Sequence, residues 1–389
     1  MPSLLAAHQL LGLMGMVLLG VAGGYTGVAL LASVVWHLRS LRRARQGWRP
    51  AVTILKPLCG AEPELLENLR SYCRQDYPEF QMLLGVRDGA DPALESVARL
   101  RQEFPQLQID VVIAATQHGS NHKVSNLLNM LPYARHDVLI IADSDTRVRA
   151  GYLDSVAAPL CERRIGLVTC LYRCIPAGGL WSRLGAMYIN DWYMPSVMLA
   201  WLFGHREYVS GQTIALRRET LDATGGLRAI ANHLADDYQL GKAVRGLGQR
   251  TVLSHCVVTT VEQQPGGADL MGHELRWMRT LRMLAPAGFR LVFVSFTLPL
   301  VLIGYVLATL SAHVGGPTVL AAATLAGRVM LSWLPRLAER RIPLSDLLLL
   351  PVRDLLLCWT WSRAFFGSRV RWRGCEFEVD RHGVIRSSL

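Results

Sequence analysis

Apolar and polar positions along the chain fall into three regimes. In the first, Leu10 to Trp36 runs without a charged residue. That is longer than the ~20 residues a helix needs to cross the hydrocarbon core of a bilayer, and it predicts a membrane-spanning helix. No Lys or Arg precedes it, so a retained anchor is expected rather than a cleaved signal peptide. In the second regime, Ala51 to Asp145, short β-branched runs alternate with helical patterns, and Val52–Leu55, Met82–Val86, Ile109–Ile113 and Val138–Ile141 read as strands. Between them, Pro63–Cys73 reads as a helix opened by proline after Glu62, and Pro92–Phe104 as one capped by Asp91. A shorter third helix is predicted over Lys123–Leu131. In the last regime, Leu291 to Gly327 has no Asp, Glu, Lys or Arg. It predicts two spans broken at His313-Val314-Gly315-Gly316-Pro317, where glycine permits a turn and proline starts a helix. Pro343 to Phe366 is interrupted by Asp346, Arg353, Asp354 and Arg363, which suits a packed span, a re-entrant piece or an interfacial helix.

Strand-helix-strand repeats of this length predict an α/β domain with a mainly parallel sheet covered on both faces, binding its ligands beyond the carboxyl ends of the strands. The expected organisation is an anchor over 1–37, an α/β domain over 38–285, membrane or interfacial helices over 286–366 and a basic tail over 367–389. Composition agrees, since 51% hydrophobic against 18% charged residues is too apolar for a wholly soluble chain of 389 residues. The net charge is 41 − 30 = +11. Much of it lies in Arg39, Arg42, Arg43, Arg45 and Arg49 after the first span and in Arg336, Arg340 and Arg341 after the second hydrophobic block. The positive-inside rule places both groups, and the α/β domain, on the cytoplasmic side. Anchoring to anionic lipid accounts for the excess, so nucleic acid is not expected as a partner. Cysteines 59, 73, 161, 170, 174, 256, 358 and 375 form no zinc-type spacing and read as free, buried thiols of a reducing compartment.

Acids stand at two strand ends, Val86-Arg87-Asp88-Gly89 and Ile141-Ala142-Asp143-Ser144-Asp145, and both are expected in one crevice. A carboxylate after an apolar strand costs solvation unless something pairs it, and Asp-x-Asp aims two side chains to one side, as a divalent cation on a diphosphate requires. The competing reading is an acidic turn that caps the next helix. Neither G-x-G-x-x-G nor G-x-x-x-x-G-K-[ST] occurs, which disfavours a dinucleotide site and an NTPase loop. Asp236-Asp237 opens another helical pattern, where a cap is the ordinary explanation. Further on, Gly272-His273-Glu274-Leu275-Arg276-Trp277-Met278-Arg279 sets arginines and an indole on a helix, suited both to a bilayer surface and to bidentate binding of a diphosphate.

Taken together, Asp88, Asp143-x-Asp145, Asp237 and Arg276-Trp277 resemble the D, DxD, D, (Q/R)xxRW pattern of family 2-like GT-A glycosyltransferases. Lys56-Pro57-Leu58-Cys59-Gly60, Asn121-His122-Lys123-Val124-Ser125-Asn126-Leu127 and Arg276–Arg282 are similar to the ceramide glucosyltransferase family over roughly Val52 to Leu284. Within it, the strings Gly119–Asp145 and His273–Trp277 are most similar to the hopanoid-biosynthesis branch. The resemblance implies a GT-A (Rossmann-like) glycosyltransferase domain with N- and C-terminal transmembrane helices, in a bacterial cytoplasmic membrane. It implies a UDP-sugar donor, a lipid acceptor (a hopanoid, alternatively ceramide), and Mg²⁺ or Mn²⁺. By position, Asp88 would contact the uracil-ribose part, Asp143 and Asp145 the sugar-diphosphate and the metal, and Asp237 the acceptor hydroxyl as catalytic base. Lys123, Arg276 and Trp277 would hold the diphosphate and the acceptor mouth. His273 replaces the first residue of (Q/R)xxRW, and a neutral packed imidazole is expected there. Tyr188 to Phe203 resembles the family's membrane-embedded acceptor segment. A processive polysaccharide synthase would need more spans than these, and an inert scaffold would have no reason to keep every acid of the motif.

Overall fold

The computed structural model describes residues 2–40, 47–310, 315–337, 344–372, 375–380 and 383–387. Arg42, Arg43, Arg45, His313, Val314, Arg340, Arg341 and Pro343 lie outside the described residues. The chain divides into a helical unit (Met1–Leu38, Gly178–Phe203, Gln264–Arg373) and an α/β unit (Arg39–Ala177, Gly204–Gln263, Gly374–Leu389).

Helix α1 (Pro2–Ser40) opens the chain. The α/β unit follows with β1 (Val52–Pro57), α2 (Leu65–Cys73), β2 (Phe80–Val86), α3 (Ala93–Glu103), β3 (Gln108–Ile113), α4 (His122–Met130), β4 (Val138–Ile141), β5 (Thr146–Arg147), α5 (Tyr152–Ala157) and β6 (Ile165–Pro176). After α6 (Leu180–Tyr188) and α7 (Met194–Leu202) of the helical unit, the chain resumes the sheet with β7 (Ile214–Arg217), α8 (Arg218–Ala223), α9 (Asp236–Gly246) and β8 (Arg250–Glu262). The helical unit is completed by α10 (Gly267–Leu284), α11 (Pro286–Leu291), α12 (Thr297–Thr309), α13 (Gly315–Leu337), α14 (Leu344–Leu347), α15 (Leu350–Ala364) and the short strand β9 (Arg369–Trp372). Strands β10 (Cys375–Val379) and β11 (Ile385–Ser387) belong to the α/β unit.

The large sheet has the order β3-β2-β1-β4-β7-β6-β8-β5. Its first four strands are parallel, with Val52 facing Phe80 on one side and Val138 on the other. Strand β7 runs antiparallel to both β4 and β6, while β6 and β8 are parallel. Every residue of β1, β2 and β4 is buried, as strands covered on both faces require. Leu55, Leu83, Leu139 and Leu216 of the sheet pack with Val124 and Leu127 of α4. The mainly parallel sheet is therefore the one the alternation predicts. Helix α2 starts later than Pro63, because Glu64 adopts a left-handed conformation with φ +57° and ends the proline turn before the helix begins. Asp91 does hold the start of α3: its Oδ1 accepts from Ala93 N–H and from Gly60 N–H, both at 2.9 Å.

Among the described residues two single helical segments are long and apolar enough to cross a membrane, Ala6–Ser40 and Gly315–Leu334, and the bent pair Pro286–Ser295 with Thr297–Thr309 would make a third if it forms one span. Of the two spans expected within Leu291–Gly327, one is therefore a continuous helix and the other is broken. Helix α12 has 13 residues, about 20 Å at 1.5 Å per residue against a core of about 30 Å. It is bent by 59° from the short helical stretch Pro286–Ser295 before it. Glycine explains how closely α1 and α12 pack: a Cβ on Gly15 would lie 2.5 Å from Gly304 O, a small-residue contact of the kind that joins membrane helices. Three of the four charges named inside 343–366 are paired within the unit, while Arg363 is exposed and lies over the Trp359 ring. Arg353 joins Glu274 (Nη2–Oε2 2.7 Å), Asp354 joins Arg328 (2.7 Å), and Asp346 joins Arg183. The thiols do not all sit inside: Cys73, Cys170, Cys174 and Cys256 are buried, but Cys59 and Cys161 are exposed.

Candidate active site

The carboxyl ends of β2 and β4 lie on the same sheet edge with β1 between them, two strand spacings or ~9.6 Å apart. Strand β4 ends in apolar Ile141 and Ala142, so the turn Asp143-Ser144-Asp145 emerges where the sheet stops. Asp143 Oδ1 pairs with Lys123 Nζ at 2.7 Å, and the same ammonium lies 3.5 Å from Asp236 Oδ2. Lys123 is in the first turn of α4, which is capped by Asn121 Oδ1 accepting from Val124 N–H at 3.1 Å. Asp237 Oδ2 accepts from Gly211 N–H at 2.9 Å and its Oδ1 from Tyr238 N–H at 2.7 Å. Asp237 thus bonds across the fold to Gly211, which a simple helix cap would not do. A Cβ on Gly211 would meet Lys123 Nζ at 2.9 Å, Asp143 Oδ2 at 3.3 Å and Asp237 Oδ2 at 3.6 Å. Glycine leaves room here for three side chains from distant parts of the chain, which a Cβ would press upon.

The electrostatics follow from this crowding. Burial, then the charge of adjacent Asp236, pushes the Asp237 carboxyl up to about 6, with Lys123 acting in the opposite direction. Burial opposes the charge on Lys123, but Asp143, Asp236 and Asp237 outweigh it and hold the ammonium well above its ordinary range. Asp145 is pushed up to about 7 by burial and then by Asp143. No Lys, Arg or His forms an ion pair with it among the described residues. Lys56 at the end of β1 is fully buried and brought down to about 7 by that burial, against the pull of Asp145 and Asp143. Its Nζ donates to Asp143 O at 2.7 Å and stands 3.9 Å from the centre of the Tyr72 ring.

A desolvated carboxyl with no paired cation, next to a second carboxyl, is a donor set that a divalent cation fits. Among the described residues no three Asp, Glu, His or Cys side chains form a ready-made metal cage. Asp143 and Asp145 would therefore supply the protein ligands, with phosphate oxygens and water completing the shell, as magnesium-type sites on diphosphates do.

Of the residues singled out from sequence, Lys123, Asp143 and Asp237 are brought together, and Asp145 stands close enough to feel Asp143. Asp88 occupies an exposed turn after β2, with Oδ1 accepting from Ala90 N–H at 3.0 Å. Arg276 and Trp277 belong to the helical unit. There the Trp277 ring lies 4.1 Å from His273 and 5.3 Å from Tyr188, with the Arg276 guanidinium 6.0 Å from the indole. His273 is half-buried, its Nδ1 2.9 Å from Gln264 Nε2. The segment from Tyr188 to Phe203 passes from α6 through a π-helical turn, Ile189–Tyr193, into α7, and Tyr188 also packs on Trp192 at 4.9 Å. Sequence reasoning gave no role to Lys56, Asn121, Gly211 or Asp236. For Lys56 a signal existed, a lysine ending an otherwise apolar strand. For Gly211 there was none, since its neighbours come from distant parts of the chain.

An α/β sheet of this order, with an Asp-x-Asp turn at the end of β4, agrees with the GT-A architecture expected from the sequence. The chain belongs to Glycosyl transferase family 21, which matches residues 19–385. Ceramide glucosyltransferase 3 of Caenorhabditis elegans is 23% identical over 241 residues, covering 61% of this chain and 52% of the relative. The ceramide glucosyltransferase of Komagataella phaffii is 31% identical over 106 residues, 26% of this chain and 21% of the relative. The chain spans about half the length of the Caenorhabditis relatives it matches. Among solved structures, the mannosyltransferase PcManGT from Pyrobaculum calidifontis, in complex with GDP-Man and Mn²⁺, is 18% identical. It covers 90% of this chain and 99% of that one with a TM-score of 0.49.

Proposed function

We propose that this chain is a membrane-bound, UDP-sugar-dependent glycosyltransferase that moves a sugar onto a lipid hydroxyl with inversion, using Mg²⁺ or Mn²⁺ held by Asp143 and Asp145. The observation that carries the reading is the convergence of Asp143, Lys123 and Asp237 on Gly211, with Asp236 sharing the Lys123 ammonium, at the carboxyl edge of the sheet, in a chain of family 21. Asp237, kept near its working pH by burial and oriented by two amides, takes the proton of the acceptor hydroxyl. The freed oxygen attacks the anomeric carbon as the bond to the diphosphate breaks on the opposite side, so no covalent enzyme intermediate forms. Lys123 faces the leaving UDP as a fixed cation. The metal, when bound, offsets the charge of the departing diphosphate. Asp88 is assigned to the uracil-ribose part, and Arg276 and Trp277, on their motif, to the diphosphate and the acceptor mouth.

For the acceptor, the resemblance to the hopanoid branch supports transfer of N-acetylglucosamine from UDP-N-acetylglucosamine to bacteriohopanetetrol. A second reading, glucose transfer to ceramide, is supported by the names of the relatives. The corresponding location is a bacterial cytoplasmic membrane with the α/β unit on the cytosolic side, and no nucleic-acid partner. Mass spectrometry of lipids after incubation with both UDP-sugars, both lipids and metal tests this. An N-acetylhexosamine on bacteriohopanetetrol supports the first reading and hexosylceramide the second. No lipid product with any pairing would overturn both.

A further inference from the structure

The segment just before the carboxylate pair, Ala231 to Ala235, has no helix or strand of its own, yet it sets where Asp236 and Asp237 stand. It is held from two sides. On one side, Asn121 N–H donates to Ala231 O at 2.9 Å and Asn121 Nδ2 to His233 O at 2.8 Å. Ser120 N–H donates to Asn232 Oδ1 at 2.9 Å. Asn121 also caps the helix that carries Lys123 and lies 3.4 Å from Asp236 Oδ1, so one side chain ties the lysine and the carboxylates together. On the other side stands the end of the chain. Leu234 N–H donates to Gly383 O at 2.9 Å and Ile385 N–H to Asn232 O at 2.8 Å, an antiparallel bridge centred on His233 and Val384. Strands β10 and β11 form an antiparallel pair, and Val379 and Ile385 are buried, which seats this hairpin on the α/β unit.

We propose that the C-terminal hairpin is a positioning strap: through the backbone pairing of Gly383–Ile385 with Asn232–Leu234, it fixes the start of α9 and thereby the placement of Asp237. The physical need is specific. Two adjacent carboxylates and their neighbour Asp143 repel one another, and the loop that leads into the helix carrying two of them has no helix or strand of its own. A displacement of about 1 Å in a catalytic group can cost on the order of a hundredfold in rate, and supporting groups are what prevent it. The tail's bonds go to the loop, at Asn232 and Leu234, and to the Ser120 hydroxyl, which donates to Ile385 O at 3.4 Å. This inference rests on Asp237 being the base of the proposed reaction.

The test compares the full chain with a chain ended at Asp380 and with Ile385→Pro, which removes the one N–H that bonds Asn232 O. Ile385→Val keeps that N–H and serves as the conservative control. With UDP-sugar and acceptor lipid, kcat is expected to fall about tenfold or more in the first two variants. KM for the UDP-sugar stays within about twofold, since the donor carboxylates and Lys123 have other supports, and Ile385→Val behaves as the parent. Unchanged kcat in both disrupted variants would overturn the strap. So would loss of donor binding along with activity, which would make the hairpin a folding element. Hydrogen exchange reads the same contact without any substrate: the Leu234 amide is expected to exchange slowly in the full chain and fast in the chain ended at Asp380. Fast exchange in both overturns the proposal, whereas slow exchange in a full chain that transfers no sugar counts against the proposed function alone.

Discussion

The carboxyl of Asp237 is raised to about 6 by burial and by Asp236, and is oriented by the amides of Gly211 and Tyr238. In the proposed role of base its working form is the ionised one, present above that value and lost as pH falls through it. kcat/KM is therefore expected to be flat above about pH 6 and to fall below it, which a pH-rate profile measures. Lys123→Met removes the charge that holds the Asp237 value down, so the acid limb should move to higher pH while donor binding weakens. Asp237→Asn should lower kcat by ~10²-fold or more, the usual weight of a general base, with UDP-sugar affinity nearly unchanged in a calorimetric titration. Asp145→Ala acts on the other half of the site. With metal present, Kd for the UDP-sugar should rise by at least the ~10-fold that loss of even an outer-sphere partner causes.

At the scale of elements, β1 and β4 were readable because a strand buried on both faces is a continuous apolar run, and the acids could be placed because they end such a run. Helix α10 was read as a basic amphipathic helix at a surface, and its middle tells a different story. Glu274 and Arg353 of α15 have side-chain exposures of 1% and 2%, and the two charges meet each other, Thr360, the Leu184 carbonyl and, from Arg353, the Tyr188 ring at 5.4 Å. Breaking one member of such a pair strands a buried charge, at about 3–5 kcal/mol. Glu274→Ala should lower the unfolding midpoint of the detergent-solubilised protein markedly, and Glu274→Leu combined with Arg353→Met should recover most of the loss. Asp346, Arg353 and Asp354 thus mark helix packing, whereas Arg363 stays exposed. Sequence alone left three readings open because a charge at an apolar position looks the same whether its partner is lipid headgroup, water or another helix.

For the whole molecule, chelation by EDTA should abolish transfer, and added Mg²⁺ or Mn²⁺ should restore it. An alkaline carbonate wash should leave the protein in the membrane pellet, since Ala6–Ser40 and Gly315–Leu334 are both long and apolar enough to span. Local pattern was enough to determine the long apolar first helix, the strand-helix alternation, the mainly parallel sheet and the order of the motif acids, because hydrophobic periodicity and strand ends are properties of neighbouring residues. Other features depend on residues far apart in the chain meeting at one point. Lys123, Asp143 and Asp237 crowd the space beside Gly211, Asp236 shares Lys123 with Asp143, and the final hairpin pairs with the loop before Asp237. Helix α12 is short because the chain bends by 59° at its start, a bend that an unbroken apolar run does not announce. Only the tertiary structure decided these, since each depends on a contact for which one-dimensional spacing carries no signal.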